Sequence, residues 1–401
     1  MSKIEYPTLV PELRFPEFVE QDGWKPKILE EVCDLQAGKF VKAANIKSEK
    51  DDSFYPCYGG NGLRGFTESF THNGNYSLIG RQGALCGNIN FVSGKFHATE
   101  HAVVVEPKEG VDNSWLYYEL CRLNLNRFAT GQAQPGLSVD NLYRVDTHVP
   151  LVEKEQQKIA DCLVSIDGLI TTNTKKSDSL KLHKKGLMQK LFPEEGKRVP
   201  ELRFSDFEGD WKPASIAKMG MVVTGSTPST SHREYYGGEH LFVSPADISE
   251  NRFIETTKST LTTEGIRKSR VVQSGSVLFV CIGSTIGKTA QIKYGCATNQ
   301  QINAITAFPG YDDDFLYYLL SFHSLTISEL AGKQAVPIIN KATFSKVVLM
   351  VPEEKEQKRI ADILSSIDEL ISALNKKIEA LKAHKKGLVQ RIFPYLERVS
   401  E

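Results

Sequence analysis

Residues 283–289, GSTIGKT, come nearest in this chain to a recognised chemical motif. A phosphate-binding loop places four residues between its first glycine and Gly-Lys. Here Gly283 and Gly287 enclose three, and Ile282 stands where that first glycine belongs. The stretch reads as a glycine-rich turn between strands, with Ser284, Thr285 and Lys288 suited to phosphate or base contacts. His97 and His101 have the H-x3-H spacing of half a zinc site. No cysteine pair accompanies them, and Cys86 would be a poor third ligand. Glu106-Pro107-Lys108 imitates the E-x-K half of a metal-dependent nuclease site, which needs further acidic ligands; no Pro-Asp dipeptide precedes it. N-P-P-Y, D-P-P-Y and G-x-S-x-G are all absent, and nothing else pairs a nucleophile with a base. The sequence offers no catalytic centre and no metal or cofactor site.

It offers binding chemistry on loops. The first half has YPCYGGNGLRGF (55–66), GRQGALCGN (80–88), TEH (99–101) and GQAQPGLS (131–138). The second has TGSTPSTSHREYYGG (224–238), CIGSTIGK (281–288), TNQQIN (298–303) and GKQAVPIIN (332–340). Arg, Lys, Asn, Gln, Ser and Thr read base edges and grip phosphates. The candidate DNA contacts are Asn61, Arg64, Arg81, Gln82, His101, Gln132 and Gln134, then Thr227, Arg233, Ser284, Thr285, Lys288, Asn299, Gln300, Lys333 and Gln334. Structural roles stay open for neighbours: Tyr58, Tyr235 and Tyr236 as core, Asn61 as a turn former.

These loops need a scaffold, and the sequence describes one by repetition. EQQKIADCLVSIDGLI (155–170) returns as EQKRIADILSSIDELI (356–371). VPELRFPEF with GWKP (10–26) returns as VPELRFSDF with DWKP (199–213), and HKKGL followed by FP closes both halves. The middles, roughly 27–148 and 214–350, diverge, apart from echoes such as WLYYEL (115–120) against FLYYLL (315–320) and the G-x3-G pairs Gly83/Gly87 and Gly283/Gly287. Ile360, Ile367, Leu374, Leu381 and Leu388 keep a seven-residue step, and Ile363, Leu364, Leu370, Ile371, Ile378 and Ile392 thicken the stripe. Ile159, Ile166, Leu180 and Leu187 follow the same step, interrupted by Asn173. Such heptads predict coiled-coil helices of about 40 residues. Each runs from an acidic start to a lysine-rich end, which suits its macrodipole and favours antiparallel pairing. Two amphipathic helices, each packed on its own domain, are the alternative. Short β-branched runs at 76–79, 102–105, 277–282 and 302–305, with helices near 115–126 and 315–330, make the middles mixed α/β (α+β).

The bulk numbers suit an ordinary soluble chain of two or three domains: 401 residues, 40% hydrophobic, 24% charged, with Lys+Arg and Asp+Glu both at 49. Net charge is silent on nucleic acid, so any basic surface must come from charge distribution. Seven cysteines without a C-x-x-C indicate neither a disulfide framework nor a zinc ribbon. The start MSKIEYPTLVPELRF has no secretion-signal core and no apolar run is long enough for a bilayer, so the expected location is cytoplasmic.

Two divergent domains, each followed by the EQ…IA…L…SID…LI helix ending near HKKGL, resemble the specificity (S) subunit of type I restriction–modification enzymes over essentially the whole chain. The resemblance implies target-recognition domains at 1–150 and 193–351, spacer helices at 151–192 and 352–394, and a tail at 395–401. It implies an internal pseudo-two-fold arrangement of antiparallel helices with a DNA reader at each end. The heptad residues Ile159, Ile166, Leu180, Leu187, Ile360, Ile367, Leu374, Leu381 and Leu388 would then serve helix pairing and subunit docking. Expected partners are double-stranded DNA with a bipartite asymmetric target, two modification (methyltransferase) subunits and restriction (motor/nuclease) subunits. The chain itself would be non-catalytic and hold no cofactor, with S-adenosylmethionine, ATP and Mg in the partners. A fused methyltransferase–nuclease partner is one variant. The alternative from another class is a coiled-coil adaptor with two protein- or glycan-binding domains.

Overall fold

The computed structural model describes residues 8–83, 85–131, 135–332 and 336–394. The chain divides into two compact units, Met1–Thr172 with Ile378–Glu401, and Asn173–Lys377. Two 39-residue helices, Glu153–Leu191 and Glu354–Ile392, each contribute to both units. At 1.5 Å per residue each is about 58 Å long. Among the described residues no helix is long and apolar enough to cross a membrane.

The first unit is built on a six-stranded sheet with spatial order Cys33–Ala37, Ala102–Pro107, His72–Gly80, Ile89–Ala98, Tyr55–Gly59, Gly62–Thr67. Only the Tyr55–Gly59/Ile89–Ala98 pair is parallel. A small ribbon pairs Lys25–Ile28 with Asp146–Val149. Helix Asn113–Arg122 covers the sheet; the Asp112 carboxylate starts it by accepting from Trp115 N at 2.7 Å. It ends earlier than the expected 126, because Asn124 turns left-handed (φ 49°) and a 3-10 turn follows. The core joins Trp24, Ile79, Val103 and Trp115 to Ile159, Ala160 and Leu163 of the first long helix and Ile392 and Phe393 at the end of the second.

The second unit uses two four-stranded sheets in place of one. One runs Gly220–Thr224, Ile302–Ala307, Val277–Val280, Thr289–Gln291; the other runs Ser259–Leu261, Tyr236–Val243, Cys296–Thr298, Val271–Val272. The expected strand at 277–282 stops at Val280, where the glycine loop begins. The helix expected over 315–330 divides into Asp313–Phe322 and Ser324–Ser328. Trp211, Phe279, Phe315 and Phe344 pack with Leu191, Phe192, Ile360, Ala361 and Leu364 in its core.

The repeated motifs explain themselves as bonds. Arg14 Nε and Nη2 donate to the Glu155 carboxylate at 2.8 and 2.7 Å, and Trp24 Nε1 adds a third bond at 3.2 Å. Arg203 and Trp211 treat Glu356 identically, at 2.9, 2.8 and 3.4 Å. Thus the Arg of ELRF and the Trp of the WKP motif meet the Glu of EQ. Gln156 caps the same corner through Asp112 N, Gly110 O and Pro150 O, and Gln357 does so through Asp312 N, Gly310 O and Pro352 O. The ends of the long helices are equally matched: Leu13 N donates to Arg391 O (2.9 Å), and Leu202 N to Lys190 O (2.9 Å). The first ELRF segment therefore docks on the end of the second long helix as the second ELRF segment docks on the end of the first.

Within each unit the long helices run antiparallel. In the first, Asp167 meets Lys385 at 2.7 Å; in the second, Lys184 meets Asp368 at 2.6 Å and Ser177 Oγ donates to Asn375 Oδ1 at 2.9 Å. The seam is wider than one heptad position. Leu364, Ile371 and Ile378 are buried, whereas Ile367, Leu374, Leu381 and Leu388 are half-buried. Leu370 lies outside the alternating four-three pattern and is 56% exposed. Ile159, Ile166 and Ile360 are buried within the chain itself, which assigns them to internal packing; Leu180 and Leu187 are half-buried.

Glu155→Ala would remove the counter-charge of the nearly solvent-free Arg14 guanidinium, leaving it only the Gln21 and Asp22 carbonyls, and would strand the buried Trp24 N–H. Removing one partner of a buried pair costs about 3–5 kcal/mol. The urea midpoint of the full chain should fall accordingly, and an unchanged midpoint would reject the anchor.

Candidate nucleic-acid interface

In each unit the glycine-rich loops are held by backbone bonds, and the bonds correspond one to one. Gly83 N donates to Pro135 O at 3.0 Å, as Gly283 N does to Pro337 O at 3.0 Å. Gly87 N donates to Gly80 O (2.8 Å), as Gly287 N does to Val280 O (3.1 Å). Arg81 N reaches His101 O (2.9 Å), matched by Cys281 N and Gln301 O (2.8 Å). Leu137 N reaches Arg81 O (2.9 Å), matched by Ile339 N and Cys281 O (2.8 Å). A third segment of each cradle, 38–40 or 225–227, is pinned by Lys39 N to Ala98 O (2.8 Å) or Ser226 N to Thr298 O (2.9 Å). The middles diverge in side chains and share this backbone frame.

The four loop glycines have φ of 86°, 84°, 96° and 95°, a region costly for other residues. The GSTIGKT loop leads into strand Thr289–Gln291, not a helix, so it lacks the helix N-terminus of a nucleotide loop.

On the first frame, Asn61 and Arg64 flank the Tyr55–Gly59/Gly62–Thr67 hairpin turn and are exposed. A Cβ added at Gly60 would lie 3.0 Å from His101 O and 3.6 Å from Arg81 N, so the hairpin reaches the other loops. Gln82 is exposed; Arg81 is half-buried, with Nε donating to Leu137 O at 3.3 Å. His101 is half-buried and 3.3 Å from Glu100 Oε1. His97 bonds to Lys39 O through Nε2 (3.1 Å) and to Ser69 Oγ through Nδ1 (3.4 Å), so the two histidines face different neighbours. Among the described residues no cluster of three or more His, Cys, Asp or Glu could hold a metal.

On the second frame, exposed Thr227 donates to exposed Gln300 Oε1 at 2.7 Å, and Asn299 Nδ2 donates to Gln301 Oε1 at 3.0 Å. Ser284 is exposed and Thr285 half-buried on the glycine loop. Arg233 is exposed on the turn Arg233–Tyr235, and the Tyr236 hydroxyl just after it donates to Pro228 O at 2.7 Å. Lys288 is exposed, and its Nζ donates one bond to Ile248 O at 3.0 Å, which leaves the ammonium two further N–H donors. Burial pushes the Cys281 thiol, where the first frame has Arg81, up to about 12, so it stays protonated at neutral pH. Gln132, Gln134, Lys333 and Gln334 lie outside the described residues.

Sequence reasoning missed the basic residues that join these frames. Arg270 N donates to Ser226 Oγ at 2.9 Å, and its Nη1 donates to Thr224 O at 3.0 Å. Arg267 and Lys268 are exposed beside it, and on the first frame Lys39, Phe40 and Lys42 are exposed. The runs RKSR (267–270) and GKFVK (38–42) were the available signal.

The family model described as "Type I restriction modification DNA specificity domain" matches residues 21–182 and 208–383. A type I restriction enzyme specificity subunit of Escherichia coli, EcoprrI, is 44% identical over 38% of this chain and 38% of its own length. The MjaIX specificity subunit of Methanocaldococcus jannaschii is 29% identical over 43% of this chain and 41% of its own. These two matches thus span well under half of the relatives concerned. A putative specificity subunit of Haemophilus influenzae is 24% identical over 88% of this chain and 89% of its own. Among solved structures, a type I S subunit from M. genitalium shares the fold at TM-score 0.75 and 14% identity, covering 97% of this chain and 100% of that one.

The frames make a local prediction. A Cβ at Gly87 would run into Asn126 N, whereas one at Gly83 meets nothing within 4 Å. Gly83→Ala should cost only the left-handed strain, about 1–2 kcal/mol. Gly87→Ala should cost more, read as a larger fall in thermal midpoint; equal falls would show that the loop does not press on residues 125–126.

Proposed function

Because the chain belongs to the type I restriction–modification DNA specificity family, we propose that it is the sequence-specificity subunit of such a complex, reading a bipartite asymmetric DNA target. The recognition domains are 1–150 and 193–351, the spacer helices 151–192 and 352–394, and the tail 395–401. The observation that carries the reading is the paired loop frame: matching backbone bonds, with Arg81 and Gln82 on one and Cys281 and Ile282 on the other. Equal frames with unequal side chains suit two different half-sites. The exposed cations at the frames supply the sequence-independent grip that a neutral chain otherwise lacks.

The chain is non-catalytic in this reading. Two modification subunits bring the methyltransferase and S-adenosylmethionine, and restriction subunits bring the ATP- and Mg-dependent motor and nuclease. The exposed faces of the two repeated long helices offer similar surfaces for two copies of one partner.

The purified chain should bind DNA in a salt-dependent manner without methyl transfer, cleavage or ATP hydrolysis; turnover by the single chain would defeat the proposal. Motif-specific methylation should appear on co-expression with a type I modification subunit. Arg64→Ala should then alter only the half-site read by the first domain, and Arg270→Ala only the other. A lost base contact costs roughly 1–3 kcal/mol and relaxes one position, whereas a lost phosphate contact lowers the salt slope by about one. Methylome sequencing of each variant reads the relaxed position and binding titrations at several salt concentrations read the slope, and crossed effects would refute the domain assignment.

A further inference from the structure

Phe40 is 70% exposed, an apolar ring held in water on the first loop frame. The segment leading to it is fixed. Gly38 N donates to Ala102 O at 2.9 Å, Lys39 N to Ala98 O at 2.8 Å, and Lys39 O is 3.1 Å from His97 Nε2. Those bonds end at the strand termini that also present Arg81 and His101, so the ring belongs to the candidate interface. Exposed Lys39 and Lys42 bracket it. The second unit, with the same two backbone bonds at Gly225 and Ser226, presents Thr227 at the corresponding place, hydrogen-bonded to Gln300.

Resting on the DNA-reading function proposed above, we propose that Phe40 is a specificity-determining residue of the first domain, seating its ring against the C5 methyl group of a thymine in the major groove. A phenyl ring cannot read hydrogen-bonding edges, and the thymine methyl is the apolar feature that the groove displays. The flanking lysines hold this edge of the domain against the phosphate backbone. A fixed loop avoids the ordering cost that a mobile aromatic would bring. At the corresponding place the second unit presents Thr227, with its hydroxyl on Gln300, so the aromatic ring belongs to one half-site alone.

The test uses the purified full chain and a randomised duplex library to select its target, followed by binding to duplexes in which each thymine is replaced in turn by uracil, which removes only the methyl. One thymine of one half-site should show about fourfold weaker binding as uracil, the fold-change expected for one buried methyl group. Phe40→Ala should abolish that thymine–uracil difference and leave the other half-site unchanged, while Phe40→Leu should retain part of it. The exposed position makes an unchanged unfolding midpoint the expected control. A selected motif with no thymine–uracil discrimination, or discrimination that survives Phe40→Ala, overturns this inference and leaves the DNA-reading function standing. Uniformly weaker binding with altered DNA bending would also overturn it, by making the ring a wedge. Selection of no motif by the parent chain would overturn the function as well.

Discussion

Two aspartates hold the scaffold together. Asp167 accepts from the Tyr118 hydroxyl (2.8 Å) and from Lys385 (2.7 Å); Asp368 accepts from Tyr318 (2.7 Å) and from Lys184 (2.6 Å). Each carboxylate thus ties a domain helix to one long helix and that long helix to the other. Lys184 and Asp368 keep 17% and 19% side-chain exposure, so solvent screens them only in part. Burial draws the Lys184 pKa down, with Asp368 opposing the shift. Desolvation is the larger effect, and the net stability from such a pair is small. Its value lies in direction: a half-buried lysine accepts few positions other than one beside a carboxylate, and this fixes which residues of the helices meet.

The pairing is reciprocal. The aspartate of SID in the first repeat takes the first lysine of HKK in the second, and the reverse holds for the other pair. A change in either motif therefore leaves an unpaired charge in both a helix seam and a domain contact. The same argument covers Glu155 with Arg14 and Trp24, and Glu356 with Arg203 and Trp211. The tails have reason to remain alike within one chain. The middles have a weaker common demand, because their loop frames are built from backbone N–H and C=O groups that most residue types supply equally.

That difference also decides what the sequence could reveal. The long helices were legible because heptad spacing is a side-chain signal, and the antiparallel sense followed from acid-first, base-last charge. Leu370 belongs to the apolar stripe by residue type and lies outside it in the fold, because a single apolar residue does not state which side of a 3.5-residue period it occupies. Asp167 and Asp368 look like ordinary solvated charges on a helix face; only the fold brings Tyr118 and Tyr318 to them. The equivalence of the loop glycines was visible in the spacing of Gly83/Gly87 and Gly283/Gly287. The bonds that pin them, such as Gly83 N to Pro135 O and Gly283 N to Pro337 O, were not, because residue type does not state which distant carbonyl a backbone N–H meets.

In the proposed reading, a chain built in this manner can change what it reads at small cost to its fold. The side chains at the frame edge, Asn61, Arg64 and Gln82 in one domain and Thr227, Ser284 and Gln300 in the other, are exposed, and surface substitutions away from special features usually alter stability by less than about 0.5 kcal/mol. The backbone bonds that hold them do not depend on their identity. By contrast, Trp24, Trp115 and Phe393 pack against one another at centroid distances of 5.7–6.4 Å in a core where large-to-small changes cost several kcal/mol. In the proposed reading, recognition and folding therefore rest on nearly separate residues among those described, and Arg81, with its Nε on Leu137 O, would serve both.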